Sequence, residues 1–228
     1  MREVFRYKET ILTIVTDPEH MKVVKDAVFE AREVIEAKIA EDPFFGITYD
    51  PYPPVDSDHE LIRRMCAASV LAGVGPMAGV AGAVAVHSVE AARDAGAREV
   101  IVENGGDIAF LSDRTVPVGL FADHPVFRDV AFAVSSEGIT GICSSSAKIG
   151  PSVSLGGSDV CTVFSDDVIL ADCCATALGN LVTSSEVMSE ALERMCEVSG
   201  VKGCLAVCGG KVAVCGSVPE MVPAHVNV

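Results

Sequence analysis

The stretch of residues 65–86 constrains the fold most, because it is almost entirely apolar and consists mainly of small side chains. Its length of about 20 residues would suffice for one transmembrane helix. The breaks within it instead favour two buried helices, over residues 57–72 and 76–95, that let another backbone approach closely. Those breaks are Gly73, Gly75, Pro76, Gly79 and Gly82.

The rest of the chain mixes strands and helices without a regular βαβ repeat, which favours an α+β fold with mixed sheets and packed helices. We find no domain boundary and therefore predict one domain over residues 1–228. The start of the chain (residues 3–15) alternates as one long strand or a hairpin, and residues 42–56 form an ordered Pro-rich, aromatic loop. Helices are predicted at 18–40, at the segment that carries Asp172 and at 186–198, and strands at 97–102, 108–111, 116–121, 129–135, 139–143, 159–164, 203–207 and 211–215.

Charge and composition exclude some classes of partner. The formal net charge of −15 argues against a nucleic-acid or anionic-membrane surface, since both require clustered Lys and Arg. The first residues are charged and lack an apolar signal region, so we expect a cytoplasmic protein. The apolar composition is compatible with a homo-oligomer.

Nine cysteines are present, and none of them form a C-x2-C pair. Without an export signal, disulfides are not expected, and most of the cysteines read as small core residues. Cys173 and Cys174 leave a second reading open, in which a thiolate at a helix N-terminus acts as a nucleophile.

Asp172 and Thr176 are the candidate catalytic and metal-binding residues. They stand four residues apart in a run of small, helix-compatible residues, so a helix presents both oxygens on one face. We expect them in the first turn of that helix, where they would bind magnesium together with a substrate phosphate. The alternative is a capping Asp and a buried Thr without function.

Three loops are candidates for ligand binding. Gly75 and Met77 open the second small-residue helix, whose free N–H groups suit an anion. Asn104, Gly105, Gly106 and Asp107 have the composition of a tight hairpin turn. Ser144, Ser145 and Ser146 begin a hydroxyl-rich loop that also contains Lys148. Each has a purely structural alternative, namely helix packing, a plain hairpin and an exposed loop.

Three segments together resemble the ApbE-like superfamily, and more closely a small stand-alone subfamily within it. They are residues 73–82 (GVGPMAGVAG), 102–108 (VENGGDI) and 171–178 (ADCCATAL). The better-known relatives are FAD:protein FMN transferases, which are magnesium-dependent, split the FAD pyrophosphate and attach FMN to a threonine of a target protein.

The resemblance implies magnesium at Asp172 and Thr176. It also implies a flavin or substrate cleft walled by residues 104–107, with residues 144–146 standing where relatives carry a TSG segment. Implied partners are FAD or another nucleotide and a protein acceptor.

One departure bears on activity. Pro151 stands where the subfamily usually carries a histidine, and proline can neither transfer a proton nor donate an N–H. Two hypotheses follow: magnesium-dependent FMN transfer or pyrophosphate cleavage, and a non-catalytic flavin- or nucleotide-binding protein.

Overall fold

The computed structural model describes residues 1–119, 130–146 and 156–224. Nine strands and five α-helices lie in this part of the chain, and all the strand pairings are antiparallel. The predicted α+β class is confirmed. The strands are β1 (Arg2–Tyr7), β2 (Thr10–Thr16), β3 (Glu99–Asn104), β4 (Asp107–Gly119), β5 (Val130–Ser145), β6 (Val160–Ser165), β7 (Val201–Cys208), β8 (Lys211–Gly216) and β9 (Met221–Pro223). The helices are α1 (Met21–Glu41), α2 (Glu60–Ala72), α3 (Val80–Asp94), α4 (Val168–Leu181) and α5 (Met188–Cys196).

The strands from β1 to β8 follow one another in sequence order across a single sheet, and β9 pairs with β5. All five helices contribute residues to a large core on one face of this sheet. Residues that oppose each other on neighbouring strands share a face. One such row on the helix side runs from β2 to β8 through Leu12, Asn104, Asp107, Cys143, Val163, Cys204 and Cys215.

The other face of the sheet has a smaller core of its own. Phe132 and Ile142 lie ten residues apart on β5, which is about 33 Å in a straight strand. Phe132 nevertheless packs edge-to-face on Phe164, which opposes Ile142, with the ring centroids 5.2 Å apart. The β4–β5 hairpin therefore folds back on itself. Its register shifts between Phe110 and Val116 of β4, and such irregularities are the points at which a strand bends.

The apolar stretch forms two helices, as predicted. A 3-10 turn (Pro76–Gly79) separates α2 from α3, and the axis bends there by 109°. Within the described residues, no single helix is long and apolar enough to cross a membrane. The bent pair has the length and the apolar composition of a membrane span, and those are the only two properties that it shares with one.

The loop between α1 and α2 is fixed by polar contacts. Lys38 donates to Asp58 at 2.8 Å, and both side chains are less than one-tenth exposed. The hydroxyl of Tyr52 donates to Asp42, and its backbone N–H donates to the Ser69 hydroxyl. The predicted ordered loop is thus confirmed as a packed part of the structure.

We expect Lys38→Met to lower the free energy of unfolding by about 3 kcal/mol, because it leaves the Asp58 carboxylate buried without its cation. Urea denaturation would measure this. Lys22→Met is the matched control on the same helix, since the Lys22–Asp26 pair is exposed and should contribute at most about 1 kcal/mol. Equal losses in both variants would contradict the prediction.

Candidate functional site

Asp172 lies in the second turn of α4, not in the first turn as the sequence suggested. The helix begins at Val168, and Asp167 is its N-cap, accepting hydrogen bonds from the N–H groups of Ile169 and Leu170. The prediction placed the helix start too late because an Asp preceding small residues resembles a cap at either position.

Asp172 instead caps a different helix. Its Oδ2 accepts a 2.7 Å hydrogen bond from the N–H of Gly82, and the N–H of Ala81 also interacts with the carboxylate. These are free donors in the first turn of α3, whose own N-cap residue, Gly79, has no side chain to satisfy them. The positive end of the α3 dipole therefore faces the Asp172 carboxylate.

Asp107, at the start of β4, is the second carboxyl of the site. It is hydrogen-bonded to Asp172, and it interacts with the Cys143 thiol and the backbone N–H of Ser144. Only 9% of Asp107 and 5% of Asp172 are exposed. Asp107 Oδ1 has no hydrogen-bond partner although it is buried.

Burial perturbs both acids. It raises the pKa of Asp172 to about 7, even though the N–H groups of α3 oppose the shift. Burial, and then the Asp172 charge, raise the pKa of Asp107 well above its ordinary value. The two buried carboxyls therefore favour holding one proton between them over being ionised together.

Glycines allow these elements to approach each other. A Cβ on Gly82 would lie 2.9 Å from the Val168 carbonyl oxygen and 3.0 Å from the Asp172 Cβ. A Cβ on Gly141 of β5 would lie 2.7 Å from the Val168 Cα. Gly82 thus lets α4 pack closely against α3, and Gly141 lets it pack closely against the sheet.

The predicted turn residues belong to this site. Gly105 and Gly106 have φ values of 69° and 106° and form the two-residue turn of the β3–β4 hairpin, as the sequence indicated. The amide of Asn104 donates to the Ala81 carbonyl at 3.2 Å, which ties this turn to α3.

The other predicted residues lie at different points around the site. Thr176 is half-buried, one helical turn after Asp172. Gly75 is buried against the aromatic loop, where a Cβ would lie 1.9 Å from the Thr48 carbonyl oxygen, and Met77 is half-buried against the main core.

The three predicted serines, at the end of β5, do not all lie on the same face of the sheet. Ser145 is buried and, two residues after Cys143, points to the helix side. Ser144 points to the opposite face, where its hydroxyl pairs with that of Thr162 at 2.8 Å. Ser146 donates to the Asp159 carbonyl. Lys148 and Pro151 lie outside the described residues.

The cysteine-nucleophile hypothesis finds no support. Cys173 and Cys174 are completely buried in the middle of α4, away from its N-terminus. Burial raises the pKa of Cys174 to about 12 and that of Cys173 well above its ordinary value, which disfavours the reactive thiolate.

The residues present fit a divalent cation that binds with few protein ligands. Two adjacent carboxyls, one of them with an orphaned oxygen, disfavour being ionised together, and a cation could replace the proton that they hold between them. Within the described ranges, no three His, Cys, Asp or Glu side chains are grouped to hold a metal ion on their own. That is compatible with Mg²⁺, which keeps several waters and takes ligands from a phosphate.

Sequence comparisons place the chain among relatives of the same length. Residues 2–214 match the family model described as AbpE bacteria. A UPF0280 protein of Methanocella arvoryzae is 42% identical over 100% of this chain and 94% of its own length. A UPF0280 protein of Methanothrix thermoacetophila is 44% identical over 100% and 97%.

Two flavin transferases are among the solved structures with a similar fold. The flavin transferase ApbE from Vibrio cholerae superimposes with a TM-score of 0.62 over 95% of this chain and 96% of its own. The apo flavinyl transferase ApbE of Pseudomonas stutzeri gives 0.54 over 94% of each chain. The sequence identities are 12% and 13%, so these similarities establish the fold alone.

We expect Gly82→Ala to lower the free energy of unfolding by about 1–3 kcal/mol, because its methyl group would overlap the Val168 carbonyl and push α3 away from α4. Urea denaturation is the measurement. Gly138→Ala is the control, since a Cβ there meets nothing within 4 Å. Equal stability of Gly82→Ala and the parent protein would show that the close approach is not required.

The raised carboxyl pKa values predict a pH dependence of stability in the metal-free protein. Above about pH 4 the unfolded chain releases protons that the native state retains, so the free energy of unfolding falls as the pH rises towards 7. Asp107→Asn removes one of these titrations and should make the fall shallower. Asp113→Asn, on the exposed part of the same strand, is the control.

Thermal unfolding in EDTA from pH 4.5 to 8.5 would test this. Parallel curves for Asp107→Asn and the parent protein would contradict the coupling of the two acids.

Proposed function

The chain belongs to the UPF0280 family and to the AbpE-bacteria family, and from that premise we propose that it binds Mg²⁺ and FAD where α3, α4 and the β3–β4 turn meet. The proposed reaction is cleavage of the FAD pyrophosphate, with transfer of FMN to a protein hydroxyl or to water. The observation that carries the proposal is the buried Asp107–Asp172 pair at the N-terminus of α3.

A buried carboxyl pair is difficult to explain as a stabilising feature. Each acid loses hydration, and their mutual repulsion forces one of them to keep its proton. A divalent cation removes the repulsion and uses the free oxygen of Asp107. The site therefore suits a bound cation better than it suits the metal-free protein.

Asp172 and Asp107 would hold the cation, with the Thr176 hydroxyl one helical turn away on the same helix. When bound, Mg²⁺ would neutralise the pyrophosphate charge and favour departure of the phosphate leaving group. The residues themselves would position the ligand: Asn104 fixes the glycine turn against α3, and that turn offers a backbone surface without side chains.

The apolar and glycine positions would accept the rest of the dinucleotide. Gly75 and Met77 precede α3, and we include them in the proposed site by their place in the sequence, although Gly75 itself is packed against the Thr48 backbone and Met77 against the main core. Ser145 lies on the helix side of β5 and would be the hydroxyl nearest the carboxyls along that strand. Ser144 faces the other core and is a weaker candidate for ligand contact.

A non-catalytic flavin- or nucleotide-binding protein remains the second candidate because of one group of observations. Pro151 replaces the histidine of the subfamily pattern. The histidines of the described ranges lie at other positions: His59 caps α2, His87 lies 3.6 Å from Glu30 of α1, and His20 precedes α1. Activation of an acceptor hydroxyl would then depend on a carboxylate.

We expect FAD and MgCl₂ together to raise the melting temperature. At 100 times the dissociation constant, binding adds about 2.7 kcal/mol, which is roughly 5–10 °C for a chain of this size. Asp172→Asn should remove the shift, because the ligand loses its charged partner. Asp166→Asn, at the exposed entrance to α4, should retain it.

The shift should also be larger at pH 8 than at pH 6, since metal binding must displace the proton shared by the two acids. A shift that Asp172→Asn leaves intact would place the ligand elsewhere. The absence of any shift with FAD, FMN or ADP in the presence of Mg²⁺ would reject the proposal. Chromatography that detects AMP released from FAD would distinguish an enzyme from a non-catalytic binding protein.

A further inference from the structure

Three cysteines lie together where α5 packs against the β7–β8 hairpin, and we call them the thiol cluster (Cys196, Cys204 and Cys215). Cys196 ends α5, and its Sγ lies 3.6 Å from the Sγ of Cys204 on β7. Cys215 opposes Cys204 on β8 and also contacts the Cys196 sulfur. Gly216 leaves space for Cys196, because a Cβ there would lie 3.1 Å from its Sγ.

The members of the cluster differ in their access to solvent. Cys196 is half-buried and sits at the end of its helix, whereas Cys204 is fully buried beneath it. The Cys204 thiol lies 3.5 Å from the Leu192 carbonyl, one helical turn before Cys196, so both sulfurs are held beside the same turn of α5. An oxidant from solvent would reach Cys196 first and find Cys204 already in contact with it.

A disulfide requires the sulfurs to close to about 2.05 Å. The present separation of 3.6 Å is within reach of side-chain rotation at Cys196, the terminal residue of its helix. The cluster does not read as a metal site, since no three His, Cys, Asp or Glu side chains in the described ranges are arranged around a common point.

We propose that Cys196 and Cys204 are a modification site at which a hydroperoxide oxidises the two thiols to an intramolecular disulfide. The Cys196 thiolate attacks the terminal peroxide oxygen, the O–O bond breaks, and the alcohol or water leaves with the released proton. This gives a sulfenic acid on Cys196. The Cys204 sulfur then attacks the Cys196 sulfur, the S–O bond breaks, and the hydroxyl leaves as water with the Cys204 proton. Two thiols lose two electrons, and the peroxide gains them.

The surroundings set the speed of this reaction. Burial raises the pKa of Cys196 above its ordinary value, so little thiolate is present at neutral pH. Oxidation should therefore accelerate between pH 7 and pH 9. The product would fix the end of α5 to β7, independently of the site between α3 and α4.

Peptide mapping tests the proposal directly. Trypsin cleaves after Arg194, Lys202 and Lys211, so the three cysteines fall in three separate peptides, 195–202, 203–211 and 212–228. The folded protein is treated with hydrogen peroxide, alkylated under denaturing conditions and digested without reduction. We expect two of the nine thiols to be lost and peptide 195–202 to be linked to peptide 203–211. Fragmentation then distinguishes Cys204 from Cys208, which shares that peptide.

Variants support the assignment. Cys196→Ser should abolish the link, and Cys215→Ser should leave it intact. In Cys204→Ala, the sulfenic acid on Cys196 should persist and react with dimedone. A link through Cys208 or Cys215, a link formed equally in urea, or oxidation without any cross-link would overturn the proposal. Because the peptide map is made on the parent protein, it tests the proposal even where a variant fails to fold.

Discussion

The hydrogen bond from the Gly82 N–H to the Asp172 carboxylate holds the centre of this molecule together. It joins α3 to α4 across ninety residues of sequence and satisfies a helix N-terminus that has no cap of its own. The Ala81 carbonyl, in the same first turn of α3, accepts a hydrogen bond from the Asn104 amide. Two helices and a hairpin turn thus meet at one polar point inside an otherwise apolar core.

That polar point is energetically unusual. The N–H groups of α3 would stabilise a lone carboxylate, but a second carboxyl, Asp107, lies beside it and has to keep its proton. Replacement of such a pair by apolar residues is often neutral or stabilising in other proteins. A buried acid pair with one orphaned oxygen is therefore better explained by a ligand than by the stability of the fold.

Local pattern predicted much of the fold, including the paired small-residue helices, the Asn104–Asp107 turn and the terminal hairpin. It also placed Asp172 and Thr176 one helical turn apart. The predicted start of α4 was wrong. Asp167 and Asp172 both resemble N-caps in the sequence, and only the tertiary structure shows that Asp167 is the cap. The domain count, the metal role and the flavin role stay predictions.

The coupling of Asp107 with Asp172 could not be read from the sequence, since it depends on strand register and on the close packing of α4. Gly82 did carry a signal. Its place in the small-residue stripe indicated a bare helix face, although the group that approaches it was unknown.

The close packing of α4 is also what perturbs the acids. Gly82 on α3 and Gly141 on β5 leave room for the Val168 turn, and Cys143 and Cys204 supply small thiols in the sheet row beneath the helices. With larger side chains at these positions, α4 would stand further from the sheet, and water would reach Asp172 and lower its pKa. The small residues that read as packing in the sequence are therefore the cause of the electrostatics of the site, and Gly82→Ala should change both the stability and the pH dependence together.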